Sequence, residues 1–117
     1  MRASHQLGID GESLVASHYE AAGYEVLARN WRHARGEIDL IVARRSALVV
    51  CEVKTRSTDR FGSPACAVGP AKQARIRLLS GLWLASQPRT FSEVRFDVAA
   101  VTMVGRSARI ELIAAAF

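Results

Sequence analysis

The stretch GEIDLIVARRSALVVCEVKTRS, residues 36–57, sets Asp39, Glu52 and Lys54 inside two aliphatic runs. A run that is apolar on both faces reads as a strand covered on both sides, so ALVVCEVKT is expected to lie centrally in a sheet. Side chains alternate along a strand. Glu37, Asp39 and Ile41 are therefore expected on one face of the first run, and Leu48, Val50, Glu52 and Lys54 on one face of the second. A tight turn at Arg45-Ser46, or a four-residue loop at 44–47, sets Asp39 opposite Glu52, whereas an odd-length loop would put the two acids on opposite faces.

Facing carboxylates repel across a ladder. Inside a covered sheet they must share a proton, find cationic partners or hold a metal ion. Lys54 can neutralise one of them, and a self-satisfying Asp–Glu–Lys cluster is one account of the motif. A functional site is the favoured account, because three apolar side chains would fill the space at lower cost. Glu12 adds to it. It lies between Ile9 and Ala16 on the inward stripe of a helical pattern that also includes Val15 and Tyr19. Either it approaches the same pocket from a helix packed over the sheet, or it is a partly exposed helix residue. Three carboxylates and a lysine suit a hard divalent cation, Mg²⁺ or Mn²⁺, bound through oxygen with retained waters.

The rest of the chain supplies a frame. At 117 residues it has the length of one domain, residues 1–117. The spacing predicts a helix over about 5–22 ended by Gly23, strands at 24–32, 36–43 and 47–55, and a polar loop RSTDRFGSP. A second helix opens at Pro70 with Leu79, Leu82 and Trp83 on its apolar side, and strands at 93–104 and 109–117 close the chain around a Gly105 turn. The order α-β-β-β-α-β-β predicts an α/β fold, a small mixed sheet flanked by helices. No stretch is long and apolar enough to cross a bilayer and no leader is expected, so Cys51 and Cys66 read as reduced thiols of a cytoplasmic protein. The net charge is +5, and the excess lies after the acidic first 28 residues, which suits a polyanionic partner.

Asp39 followed by Glu52-x-Lys54 resembles the core of the PD-(D/E)xK nuclease superfamily, which includes restriction endonucleases and archaeal Holliday junction resolvases. More closely, GIDGESLVASHYEAAGYEVLARNWR, GEIDLIV, CEVKTR, FGSP and RFDV resemble the YraN-like family of small bacterial proteins over nearly the whole chain. The resemblance implies a restriction-endonuclease-like core, Asp39 and Glu52 as metal ligands, Lys54 as the catalytic lysine and Glu12 as a helix-borne acid. One departure is Ile38 in place of proline before Asp39.

Phosphodiester hydrolysis needs an attacking water and charge stabilisation. Asp39 and Glu52 with Mg²⁺ or Mn²⁺ can provide both, Lys54 can orient the water, and Glu12 can hold a second ion or an outer water. Arg32, Arg35, Arg56, Arg60, Lys72 and Arg75 fall in loops or at helix starts beside the pocket, where they are expected to touch phosphates, and Gln73 is expected to face the site. Glu37 is expected to pair with an arginine, Asp97 with Arg95, and Trp31 to sit in the core or at its rim. The expected partner is nucleic acid, DNA before RNA, with no membrane, and a homodimer is among the assemblies the sequence permits. A nucleic-acid-binding protein with this fold and no catalysis is the alternative function.

Overall fold

The structure, a computed structural model, describes residues 3–56 and 68–117, with side chains from residue 11 onward. Arg60, Cys66 and most of the expected polar loop lie outside the described residues. The elements are α1 (Ala3–Ala21), β1 (Glu25–His33), β2 (Gly36–Arg44), β3 (Ala47–Arg56), α2 (Pro70–Ala85), β4 (Glu93–Val104) and β5 (Ser107–Ile113). This is the α-β-β-β-α-β-β order expected, and the strands form one five-stranded sheet in the order β1-β2-β3-β4-β5. Neighbours are antiparallel except β3 and β4, which run parallel with α2 in the crossover between them. No described helix is long and apolar enough to cross a membrane.

The central strand explains the two apolar faces. Leu48 and Val50 join Ile41, Ile76, Leu79, Trp83, Phe96 and Val98 in the core beneath α2. Val49 and Cys51 join Val15, Ala16, Tyr19, Leu40, Val42, Ala99 and Val101 in the core beneath α1. α1 ends at Gly23, whose φ of +92° is one that glycine tolerates. Pro70 opens α2 at a position where its missing N–H costs nothing. The buried side of α2 is Ile76, Leu79, Ser80 and Trp83, while Leu82, expected inside, is 38 % exposed because the stripe turns away from it.

Strict alternation fails at one place on β2. Ile38 and Ile41, three residues apart, both pack beneath α2. On the neighbouring strand Asn30 takes φ +51°, and the β1–β2 register also shifts between Val26 and Ala28. Ile38 thus departs from the alternation that holds from Leu40 to Ala43, at the place on β2 opposite Asn30.

The end of the chain also departs from the expected strand at 109–117, since β5 stops at Ile113. Asp97, fully buried on β4, captures the backbone N–H of Ala115 at 3.0 Å, and Ala116 N–H donates to the Phe96 carbonyl at 2.7 Å. Phe117 then stacks on Phe96, with Arg77 over both rings. Asp97 does pair with Arg95, which donates through Nε and Nη2 at 2.8 and 2.9 Å. It also accepts the Tyr19 hydroxyl of α1 at 2.6 Å, so one carboxylate ties α1, β4 and the C-terminal segment together. Cys51 is buried, and that burial pushes its thiol up to about 12, so it packs and does not react.

Asp97→Asn keeps the shape of this centre but removes its charge and one acceptor. The variant is expected to lose about 3 kcal/mol in urea denaturation, as for a broken buried pair, with faster hydrogen exchange at Ala115 and Ala116. An unchanged denaturation midpoint would remove the anchoring role.

Candidate active site

The turn at Arg45-Ser46 sets the β2–β3 register Leu40↔Cys51, Ile41↔Val50 and Val42↔Val49. Continued outward, that register faces Asp39 with Glu52 as expected. The ladder, however, stops at Leu40↔Cys51 although both strands go on. Beyond it they splay, and the Asp39 carboxylate fills the notch, accepting the Val53 backbone N–H at 2.8 Å on Oδ2. A side chain thus takes the place of a ladder bond. Because that N–H lies in the plane of the sheet, the carboxylate sits in the notch and meets groups from both faces.

From the α2 side comes Glu52, 7 % exposed and close against Asp39. Burial, the close contact with Glu52 and repulsion from its charge push the Asp39 carboxyl up to about 7, against the pull of Val53 N–H and Lys72. The cation on Glu52 is Lys72 of α2, with Nζ 3.2 Å from Oε2. This revises two expectations at once: Lys72, expected to contact phosphates, is a member of the site, and the neutralising role expected of Lys54 falls to it. Lys54 instead contacts Lys72, and that contact, followed by burial, lowers its proton affinity. Burial opposes the charge on Lys72, but Lys54 as acceptor and the Glu52 carboxylate outweigh it and raise its proton affinity.

From the α1 side comes Glu12. Gly11 packs so closely on β3 that an added Cβ would collide with the Thr55 hydroxyl, and this contact carries the next residue down to the notch. Glu12 is half-buried, near the Asn30 side chain and close enough to Asp39 to feel its charge. Burial first, then Asp39, raises its proton affinity. Its Oε1 is buried with no hydrogen-bond partner among the described residues. Asn30 and Gly11 form the site too, and neither is singled out by the sequence; a glycine next to Glu12 is the signal that could have found Gly11.

The donor set fits a hard divalent cation. Two carboxylates meet in the notch with the Asp39 carboxyl raised by burial and by Glu52, a lysine stands on one of them, and a third buried carboxylate oxygen is unsatisfied. Among the described residues no three His, Cys, Asp or Glu side chains close into a cage. Asp39 and Glu52 would be the residues to hold such an ion, which would keep waters in the rest of its shell.

Around the notch, Arg32 is 84 % exposed at its side chain and pairs with Glu37 at 3.4 Å, as expected for Glu37. Arg35 is exposed in the β1–β2 turn, its N–H donating to His33 Nδ1. Arg75 lies over Gly36, where φ is +146° and a Cβ would meet the Arg75 and Leu79 side chains at 3.2 Å. Arg56 is half-buried at the end of β3. Gln73 spends its amide on the Val68 carbonyl at 2.9 Å, closing the entrance to α2. Trp31 stacks on His33 and packs at the rim of the core.

A sequence profile of the uncharacterised protein family UPF0102 matches residues 11–101, from the glycine under α1 through the notch to β4. The chain belongs to the UPF0102 family. It is 50 % identical to a UPF0102 protein of Frankia casuarinae over 118 residues, covering 100 % of both chains. It is 52 % identical to one of Rhodococcus jostii over 99 residues, 85 % of this chain and 83 % of the relative. With one of Mycolicibacterium vanbaalenii it shares 50 % over 101 residues, 86 % and 83 % of the two chains. The UPF0102 match agrees with the YraN-like resemblance and carries no named activity.

The raised Asp39 carboxyl fixes a pH dependence for the metal-free protein. Between the ordinary value of 3.8 and about 7 the folded state holds a proton that the unfolded chain has released, so stability falls as pH rises through that window. Asp39→Asn, which can still accept from Val53 N–H, is expected to exceed the wild type by about 4 kcal/mol at pH 8 in EDTA, and to match it near pH 4. Thermal denaturation across pH measures this, and a gap independent of pH would contradict the raised Asp39 carboxyl.

Proposed function

We propose that this protein is a metal-dependent nuclease hydrolysing phosphodiester bonds in DNA, with branched or structured DNA as the substrate class. The observation that supports it most is the notch itself: a carboxylate displaces a ladder bond to sit against a second carboxylate, with two lysines beside them. Asp39 and Glu52 would hold Mg²⁺ or Mn²⁺, which when bound neutralises a phosphodiester and acidifies a water. Lys54 stands beside these acids, where its Nζ can orient the attacking water or stabilise the charge that develops on the phosphodiester. Glu12 Oε1 offers a buried acceptor that orients the same water. Lys72 leaves Glu52 when the acids are otherwise neutralised and becomes available to a phosphate oxygen. Arg32, Arg35 and Arg75 lie at the same end of the sheet and can position the backbone.

The alternative is a nucleic-acid-binding module without catalysis. One observation favours it, the seat of Lys72 on Glu52, which satisfies that carboxylate with no metal at all.

Lys54→Ala separates the two. With Mn²⁺ and single-stranded, duplex, flap and four-way-junction DNA, cleavage by the variant is expected to fall about 10²–10³-fold, as when a preorganised charge is deleted, while binding keeps its salt dependence. Arg35→Ala with Arg75→Ala is expected to weaken binding and flatten the logarithmic salt slope by roughly one for each phosphate no longer neutralised. A wild type that binds DNA but behaves like Lys54→Ala under each metal condition would establish the binding module.

A further inference from the structure

At the other end of the sheet, and on the α1 face, a cavity of about 460 Å³ opens beside the β2–β3 turn, lined by Tyr24, Arg44, Arg45, Ser46, Glu93 and Arg95. Four residues of β2, Leu40 to Ala43, lie between Asp39 and Arg44 of its lining, a separation of roughly 17 Å at the rise of an extended strand. Neither the acids nor the lysines of the notch reach it.

Two of its guanidinium groups are fixed in place. Arg44 donates from Nη1 to the Ala22 carbonyl at 2.9 Å and lies over the Tyr24 ring, 4.8 Å from its centre. Arg95 is clamped by Asp97, which Tyr19 supports from behind, and it lies near the Tyr24 side chain. Each clamp uses part of a guanidinium's five donors, so both groups keep N–H donors for a ligand. The third arginine is more telling. Arg45 has φ +57°, in a turn position that glycine or asparagine would suit, and a longer side chain there costs about 1 kcal/mol. The turn is held in that shape from outside: Arg89 Nη2 donates to the Arg45 carbonyl at 2.8 Å, and Ser92 bonds Ser46. A strained arginine beside two immobilised ones, against Glu93 as the acid of the lining, makes a positive, preorganised pocket.

We propose that this cavity binds a phosphoryl anion, with Arg44, Arg45 and Arg95 as its donors. The volume accommodates a phosphate group with part of an attached nucleoside. The anion comes either from a free phosphate or mononucleotide, or from the backbone of a nucleic acid held at a second place; the latter source alone rests on the proposed function.

The test uses the full chain in EDTA, so that neither metal nor cleavage enters. Inorganic phosphate and a deoxynucleoside monophosphate are titrated against thermal denaturation, with chloride at equal ionic strength as reference, and duplex DNA is followed by anisotropy. At least one of these probes is expected to bind the wild type, and Arg45→Gly and Arg44→Ala are expected to weaken it about tenfold or more. Arg45→Gly relieves the turn, so its ligand-free melting temperature should equal or exceed that of the wild type, which separates lost binding from lost folding. Weakening of phosphate or mononucleotide alone identifies a free anion, and weakening of duplex binding identifies a backbone phosphate; both support the site. Wild-type protein indifferent to phosphate and mononucleotide, with duplex affinity unchanged in Arg45→Gly, would overturn it. So would an Arg45→Gly protein that retains the full phosphate response. A Lys54→Ala protein without phenotype would end the nuclease reading and leave this result untouched.

Discussion

The bond from Val53 N–H to Asp39 Oδ2 decides how the two halves of the molecule meet. An antiparallel pair normally continues its ladder for as long as both strands last, because unpaired backbone groups inside a protein are costly. Here the pair opens while both strands continue, and the exposed donor is satisfied by a carboxylate. That substitution makes room in the plane of the sheet. Through it an acid from α1 and an acid with its lysine from the α2 side reach a common space, although each helix covers a different face. With the ladder intact, the sheet would separate Glu12 from Lys72 completely.

The cost of this arrangement is electrostatic, and the cations around it limit that cost. Burial and Glu52 raise the Asp39 carboxyl, Glu52 holds Lys72, and Lys72 in turn lowers the proton affinity of Lys54. On the α1 side, Glu12 offers a buried carboxylate oxygen to which no described residue donates. Such a group of side chains is balanced without a ligand yet ready to exchange a proton or a lysine for a cation, which is a property expected of a site more than of a structural pair.

Much of this is legible in the sequence because it depends on period and on turn length. An even-length turn at Arg45-Ser46 brings Asp39 into line with Glu52, and aliphatic residues on both sides of ALVVCEV make β3 central. Gly23 and Pro70 punctuate the helices as their backbone chemistry requires. What is not legible depends on tertiary events. Asn30 adopts a left-handed conformation that no neighbour in sequence demands, beside the place where Ile38 leaves the alternation of β2. Lys54 and Lys72 are interchangeable by residue type, and only the position of α2 over β3 decides that Lys72 takes Glu52. The final strand is shorter than its pattern suggests because its last apolar residues look like strand, while the Ala115 N–H bonds to Asp97 instead of a neighbour. Arg44, Arg45 and Arg95 are spread over two strands and a turn, and nothing in their spacing announces a common cavity.

The Tyr19–Asp97 bond spans 78 residues, whereas the acids of the notch are joined by a short hairpin. Contacts close in sequence form before distant ones, since the entropy of closing a long loop must be met first. The β2–β3 hairpin is therefore expected to assemble while Asp39 and Glu52 are still hydrated. Repulsion between them then matters little, because water screens it. The desolvation of both falls on the later step, when β4 docks beside β3 and Asp97 draws in Tyr19 with the rest of α1. Slow chain closure in this protein thus doubles as the event that creates its electrostatics, and conditions that protonate or bind the acids should act on that late barrier more than on the early hairpin.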